Sequence, residues 1–430
     1  MGREMGMTTR IGKEKSRRET LFFKFYSNYF RLLHNKNGLS CVIKKSNVLK
    51  ALLSNTFMKI LFCDNSLWGL VNFRGYIINH FLGQGHEVVL VAPEKEDEQM
   101  QAEVPQGVRY IAVDMGRTAS NPFTDLRYFH TLYRIYKSER PDFVFHYTIK
   151  PNIYGSVAAK RLGIKCCAMI AGLGYAFMSE SLAARIARSM YRWGLRHTNH
   201  LIALNQSNYD FIISQQYCTP EKTILLKGGE GVSLSDFEFH DNSTEGATTF
   251  LFIGRLLEEK GYHEFVEAAK IVLDNHKDVK FELIGALDPS YPNSVSCETV
   301  KADEKAGIIH YLGFTNDMKS LYARHGLVVV LPSYYSEGMN RSLMEACATG
   351  KPIITTDIPG CREAVVEGVN GFIVPPKDPK ALAQAIERYL KLGPGERRHM
   401  SLASRRHAEQ HYDVRRVIEV YDQVVSKAKR

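Results

Sequence analysis

The chain has 430 residues, 44% of them hydrophobic and 24% charged, which is enough for two hydrophobic cores and excludes a disordered polyelectrolyte. The formal net charge of +10 is concentrated at one end: residues 1–57 hold twelve Lys or Arg against three Glu, so the remainder is close to neutral and lacks the charge to track a nucleic-acid backbone. Eight cysteines with no C-x-x-C pair, and no apolar run of eighteen residues, exclude a zinc or disulfide framework and a spanning helix, so any membrane contact is peripheral.

In chain order, residues 1–57 come first. Their apolar run "LFFKFYSNYFRLL" is broken by Lys24, Asn28 and Arg31, which is not the uninterrupted core of a secretory signal. Two readings stay open: a basic aromatic segment lying on an anionic membrane surface, or an extension upstream of a natural start at Met58. From "MKILFC" onward, short β-rich runs alternate with helical patterns. "KILFC", "HEVVLVAP", "RYIAVDM" and "DFVFHYT" read as strands, with helices through "GYIINHFLGQG" and "RYFHTLYRIYKSERP". A second series, "TTFLFIG", "KFELIG", "IIHYLG", "GLVVVLPS", "PIITT" and "GFIVPP", follows the polar stretch 237–248. Strand–helix–strand alternation predicts parallel pairing. The fold class is therefore α/β with two doubly wound domains, 58–236 and 249–406, a linker at 237–248, and a final helical segment at 407–430. Ligands of such sheets sit beyond the carboxyl ends of strands, so the cleft between the domains is the expected site.

Three stretches place chemistry there. In "SEGMNRSLMEACATGKP", 336–352, a buried strand runs into a helix, so the amides of Gly338, Met339 and Asn340 are expected as first-turn donors for an anion. Glu337 and Glu345 flank that turn, roughly 12 Å apart along a helix axis, a span suited to a ligand with a phosphate in the middle and hydroxyls at both ends. The plainer reading is a dipole-facing Glu and a surface Glu. In "FIGRLLEEKGYHEF", the strand ends at Gly254, and Arg255 and Lys260 flank the following loop, two cations suited to a diphosphate, or else a solvated basic face. In "HYTIKPNIYG", His146 to Asn152 join a strand to a helix, so Lys150 and the helix start suit a second phosphate. His146 reads equally as a catalytic group or as a satisfied strand-end histidine. Farther on, "LAARIARSMYRWGLRH" sets Arg185, Arg188, Arg192 and Arg196 beside a stripe of Leu182, Ile186, Met190 and Trp193, either a membrane-facing surface or an ordinary helix packing its stripe on the core. The first loop, "CDNSLWGLVNFRG", lacks the dinucleotide fingerprint. No D-x-D occurs, so no metal site is expected and Arg255, Lys260 and the helix dipole must neutralise any diphosphate.

Taken together, "GRLLEEKG" at 254–261, "SEGMNRSLMEA" at 336–346, "GKPIITTDIPG" at 350–360 and "NGFIVPPKD" at 370–378 resemble retaining glycosyltransferase family 4, and the resemblance spans 58–430. It implies a GT-B fold, two facing Rossmann-like domains with the final helix crossing back to the first. The activity it implies is transfer of a hexose or N-acetylhexosamine from a nucleotide sugar, UDP-linked by family habit, without a cofactor. By that resemblance Gly254, Arg255, Lys260, Gly338, Met339, Asn340 and Glu345 bind the donor, Glu345 at the ribose and Glu337 at the transferred sugar. The first half, through "HYTIKPNIYGSVAAKRLGIK" and "IAGLGYAF", resembles the bacterial capsular and lipid-linked glycan transferases. That implies a lipid-diphosphate-linked sugar acceptor held near Gly69, Lys150 and Asn152, and a cytoplasmic enzyme peripheral at the inner membrane face. The chain departs from the pattern at Ala171, where many relatives carry His, and at Ser233, where Asp is common. A nucleotide-sugar 2-epimerase of the same fold and a non-catalytic nucleotide-sugar scaffold are the competing readings.

Overall fold

Strand β1 (Lys59–Cys63) is a short run whose four apolar residues, Ile60 to Cys63, are all buried, as happens when helices cover both faces of a parallel sheet. The computed structural model describes residues 57–93, 101–115, 122–172, 182–242, 247–289, 291, 293–335 and 338–428. The first lobe adds β2 (Glu87–Pro93), β3 (Arg109–Val113), β4 (Phe143–Tyr147), β5 (Lys165–Ile170), β6 (His200–Ala203) and β7 (Thr223–Leu225), all parallel, in the order β3-β2-β1-β4-β5-β6-β7. Its helices are α1 (Leu67–Gly83), α2 (Pro122–Glu139), α3 (Ser156–Arg161), α4 (Leu182–Leu195) and α5 (Gln206–Ser214), with a π-type turn, Pro151–Gly155, leading into α3.

The second lobe carries β8 (Thr249–Ile253), β9 (Lys280–Ile284), β10 (His310–Tyr311), β11 (Leu327–Leu331), β12 (Ile353–Thr356) and β13 (Gly371–Val374), in the order β10-β9-β8-β11-β12-β13. Its helices are α6 (Tyr262–Asn275), α7 (Cys297–Lys305), α8 (Met318–Ala323), α9 (Arg341–Ala348), α10 (Pro379–Leu390) and α11 (Pro394–His411). In each sheet the direction of winding reverses once, between β1 and β4 and between β8 and β11. Cys63 pairs with His146 across the first switch, and Val328 with Phe250 across the second. Loops leaving a switch point diverge, which opens a crevice at the carboxyl ends of those strands.

The chain passes between the lobes twice at one place. Val232 donates its amide to the Tyr412 carbonyl at 2.7 Å, and Val414 donates to the Val232 carbonyl at 3.1 Å. The last helix, α12 (Val414–Ala428), then lies on the first lobe: the Tyr421 ring is 4.7 Å from Phe145, the Tyr421 and Tyr147 hydroxyls are 2.9 Å apart, and Asp422 accepts from His80 at 3.0 Å. The crossing precedes the polar stretch expected as the linker. Within that stretch, the Phe237 carbonyl accepts from Arg405 at 2.8 Å and Asn242 donates to the Leu327 carbonyl at 2.6 Å, so residues 237–242 are built into the second lobe. Among the described residues no helix is long and apolar enough to cross a membrane.

Candidate active site

The second switch point gathers most of the donor-side residues expected from the sequence. Gly254 immediately follows β8 and donates to the Ile284 carbonyl at 3.1 Å. Arg255 follows it, exposed, with its guanidinium 4.5 Å from the centroid of Tyr291. Lys260 closes a 3-10 turn, Glu258–Lys260, and is buried, its ammonium 5.7 Å from the Tyr335 ring. That turn is stitched to the loop after β11: the Glu259 carbonyl accepts from the amides of Tyr334 and Tyr335 and from the Ser333 hydroxyl. The Ser342 hydroxyl donates to the Ile253 carbonyl at 3.2 Å, fixing the start of α9 against the end of β8. Two cations and one helix N-terminus thus share one rim, an arrangement fitted to an anion that spans both loops. A separate cavity of about 350 Å³ lies beside the 237–242 segment, lined by Asp236, Lys319 and Thr349, and holds none of these groups.

Helix α9 starts later than expected. Asn340 is its N-cap, its side chain accepting from the Leu343 amide at 3.3 Å, while its own amide donates to the Gly360 carbonyl at 3.0 Å. Asn340 therefore offers the cradle no amide, and the donors that the helix itself cannot satisfy are those of Arg341 and Ser342. Gly338 and Met339 precede the helix and reach the first lobe instead. The Gly338 carbonyl accepts from the Asn205 amide group at 2.5 Å, and a Cβ on Gly338 would lie 1.4 Å from the Ala171 carbonyl oxygen. Met339 packs against Gly229, where an added Cβ would come within 2.5 Å of the methionine Cβ. No side chain fits either approach, so glycine here is what lets the lobes touch. Glu345 is buried and paired with Arg341, Nε to Oε1 2.8 Å. Burial pushes its carboxyl above the usual range, with Arg341 working in the opposite direction. Glu337 lies outside the described residues.

The acceptor-side expectations need three corrections. His146 is wholly buried, with Nε2 2.9 Å from the Tyr136 hydroxyl and Nδ1 3.3 Å from the Ser156 hydroxyl. Burial lowers its pKa to about 3, so it is a neutral core histidine and not a catalytic group. Asn152 is also interior, donating to the Met169 carbonyl at 2.8 Å and to the Tyr191 hydroxyl at 3.0 Å, which ties the turn before α3 to β5 and α4. Gly69 is inside the first turn of α1, its amide given to the Ser66 cap at 3.1 Å and its carbonyl taken by Arg74 at 3.1 Å, so its backbone is committed. Lys150 alone stays at the rim, 3.0 Å from Asp125. Thr148, two residues before it, has φ 65, a strained backbone for a β-branched residue at the end of a switch-point strand.

Sequence reasoning passed over Asp64, Arg74, Glu230 and Arg341, the charged groups at the base of the cleft. Arg74 is buried 3.5 Å from Asp64 and 2.7 Å from Glu230. Burial alone would lower its pKa, but the two carboxylates outweigh it and hold the guanidinium above its ordinary value. The signal available was "GGEG" at 228–231, an acid set between glycines. Among the described residues no group of three or more His, Cys, Asp or Glu is placed to hold a metal ion.

Two family models match the chain: "Glycosyl transferase 4-like domain" over residues 69–228 and "Glycosyl transferases group 1" over residues 235–407. Among curated relatives, N,N'-diacetylbacillosaminyl-diphospho-undecaprenol alpha-1,3-N-acetylgalactosaminyltransferase of Campylobacter jejuni is 28% identical over 390 residues, covering 86% of this chain and 99% of its own. The UDP-Gal:alpha-D-GlcNAc-diphosphoundecaprenol alpha-1,3-galactosyltransferase of Escherichia coli is 27% identical over 280 residues, 61% of this chain and 70% of its own. Among solved structures, Anabaena HepE in complex with UDP-glucose aligns with a TM-score of 0.67 at 18% identity, covering 86% of this chain and 100% of its own. A Rickettsia africae glycosyltransferase aligns with a TM-score of 0.67 at 17% identity, covering 86% and 98%. At these identities the structural likeness establishes the architecture, which is GT-B.

Proposed function

The chain belongs to the GT-B glycosyltransferases that join a 4-like domain to a group 1 domain, and we propose that it moves a hexose or N-acetylhexosamine from a UDP-sugar to a lipid-diphosphate-linked sugar. The observation that supports the donor side is that Arg255, Lys260 and the start of α9 all stand on the segments that leave β8 and β11 at their switch point, the end of the sheet where a diphosphate would be bound. Glu345, one helical turn past Arg341, takes the ribose hydroxyls. Glu337 takes those of the transferred sugar. The acceptor class is supported by the two relatives named for undecaprenyl-diphosphate sugars, and Lys150 at the rim of the first lobe suits the acceptor phosphate.

The transfer proceeds with retention. The acceptor hydroxyl attacks the anomeric carbon from the face the diphosphate leaves; the bond to the phosphate oxygen breaks, the new glycosidic bond forms, and the departing phosphate takes the hydroxyl proton. Arg255, Lys260 and the α9 dipole stabilise the charge that develops on the leaving group, so a divalent ion is not required. The enzyme works peripherally at the inner face of the cytoplasmic membrane, where such acceptors reside. Helix α4 supports this: Arg185, Arg192 and Arg196 are exposed on the same side as Ile186, 54% exposed, and Trp193, 48% exposed.

The full chain, incubated with a panel of nucleotide sugars and lipid-diphosphate sugars in the presence of a chelator, is expected to form an α-linked product. Glu345→Ala is expected to weaken UDP binding by about tenfold or more, the scale of a lost charge-assisted hydrogen bond. Unchanged UDP affinity in that variant removes Glu345 from the donor site. An epimerised sugar nucleotide formed without acceptor replaces transfer with epimerisation.

A further inference from the structure

Trp68 is one of the two tryptophans of the chain, the other being Trp193. It stands in the first turn of α1, just past the carboxyl end of β1, and is half-buried. Helical side chains lean toward the amino end of their helix. For α1 that end is the cleft end of the sheet, so the indole is directed toward the crevice that opens between β1 and its neighbour β4. The backbone around it is committed. The Gly69 amide goes to the Ser66 hydroxyl, the Gly69 carbonyl accepts from Arg74, and the Trp68 carbonyl accepts from the Asn72 amide group at 3.1 Å. What this turn presents to the crevice is a ring.

The Trp68 and Phe73 rings lie 5.0 Å apart with their planes at 83°. In an edge-to-face pair the edge of one ring meets one face of the other, so in either arrangement Trp68 keeps a face that Phe73 does not cover. Phe73 in turn touches the second lobe: the guanidinium carbon of Arg341, the residue that opens α9, is 5.4 Å from its centroid. The indole is therefore one ring away from the donor-side helix. On its other side, Lys150 leaves β4, the strand paired with β1, where it suits the acceptor phosphate. A group that holds the acceptor's sugar belongs between the holder of its phosphate and the donor, and Trp68 has that place.

The chemistry fits a sugar. Where the axial C–H bonds of a pyranose gather on one face, that face is apolar, and its slightly positive hydrogens match the negative face of an aromatic ring. Indole offers the widest such face of any side chain, and the hydroxyls at the sugar's edge remain directed to water and to polar groups. We propose that Trp68 is a specificity-determining residue of the acceptor site: the sugar that receives the transferred one stacks on the indole. This rests on the transfer reading above. The contact reads ring shape and not charge, so an alkyl diphosphate without a sugar gains nothing from it.

The test uses the full chain and short-chain alkyl diphosphate esters of N-acetylhexosamines as water-soluble acceptors. In the Trp193→Phe variant Trp68 is the sole tryptophan, and its emission is expected to change saturably with such an ester and not with the same alkyl diphosphate lacking the sugar. In steady-state assays Trp68→Ala is expected to raise the acceptor KM by about tenfold or more, the scale of a lost aromatic contact. Its kcat is expected to stay within about threefold of wild type and its UDP Kd to stay unchanged, while Trp68→Phe keeps the acceptor KM within about threefold. A role confined to packing α1 lowers the melting temperature without this division between acceptor KM and UDP Kd. If Trp68→Ala does not fold, the emission experiment decides, since it retains the residue. An ester that is turned over yet leaves Trp68 emission unchanged, or a folded Trp68→Ala with wild-type acceptor KM, overturns the stacking site alone. A chain that turns over no acceptor and shows no change in emission removes the transfer reading and the stacking site with it.

Discussion

A histidine at the end of a switch-point strand is a natural candidate for acid–base work, and His146 shows how burial cancels that role. Its two ring nitrogens are occupied by Tyr136 and Ser156, and with no acid beside it in the core it stays neutral down to a pKa of about 3. The neighbours that seal it come from ten residues away on either side, so its fate depends on packing that no local pattern reveals. The consequence for stability has a definite sign. The unfolded chain takes up a proton at this residue below its ordinary value of 6.5, while the folded chain does not until about 3. Stability from this group is therefore complete above 6.5 and drains away as pH falls toward 3, by at most ~1.4 kcal/mol per pH unit. His146→Gln is expected to flatten that part of the pH–stability profile measured by chemical denaturation while leaving turnover within about twofold of wild type. Loss of turnover by orders of magnitude in a folded variant restores a catalytic role.

At the level of elements, helix α4 illustrates what periodicity can and cannot settle. The pattern of arginines and large apolar residues allowed either a membrane surface or core packing. The structure buries a different stripe, Ala184, Tyr191 and Leu195, and leaves Ile186 and Trp193 exposed beside Arg185, Arg192 and Arg196. Met190 is partly covered; Leu182 is outside the residues whose side chains are described. A face that combines guanidinium groups with an indole and a branched alkyl group suits an anionic bilayer, where each basic residue contributes about 1 kcal/mol near the surface. Arg192→Glu/Trp193→Ala is expected to abolish flotation with vesicles containing an anionic lipid and to leave UDP affinity unchanged. Flotation equal to wild type assigns α4 to another purpose. The start of α9 teaches a similar lesson: the strand and helix were legible, but the N-cap, and hence which amides are free, turned on Asn340 folding back onto Leu343.

For the molecule as a whole, both sheets were readable from alternating runs, because buried parallel strands are continuous apolar text. The strands that escaped are β5, β6 and β7; the last two have four and three residues, too short to carry a period. The site divides the same way. Arg255 and Lys260 stand on the loop between a strand and a helix and could be placed by spacing. Asp64 and Arg74 meet within the first lobe although ten residues apart, Glu230 joins them from the crossing segment, and Arg341 comes near only where the two lobes meet. The final helix is the strongest global tie: α12 covers Phe145 and Tyr147 and pairs with His80. Removing Val414–Ala428 is expected to release amide protection in β1–β7 while β8–β13 keep theirs, measured by hydrogen exchange. Equal loss in both sheets means that the lobes fold as a single unit.

That same helix sets the order in which a nascent chain can mature. A ribosome that has synthesised all seven strands of the first sheet has not yet produced the segment that shields its aromatic face, which arrives after every residue of the other sheet has emerged. The earlier-made half is thus completed last, and any product cut short near its carboxyl end presents an open patch of Phe145 and Tyr147 to chaperones and proteases.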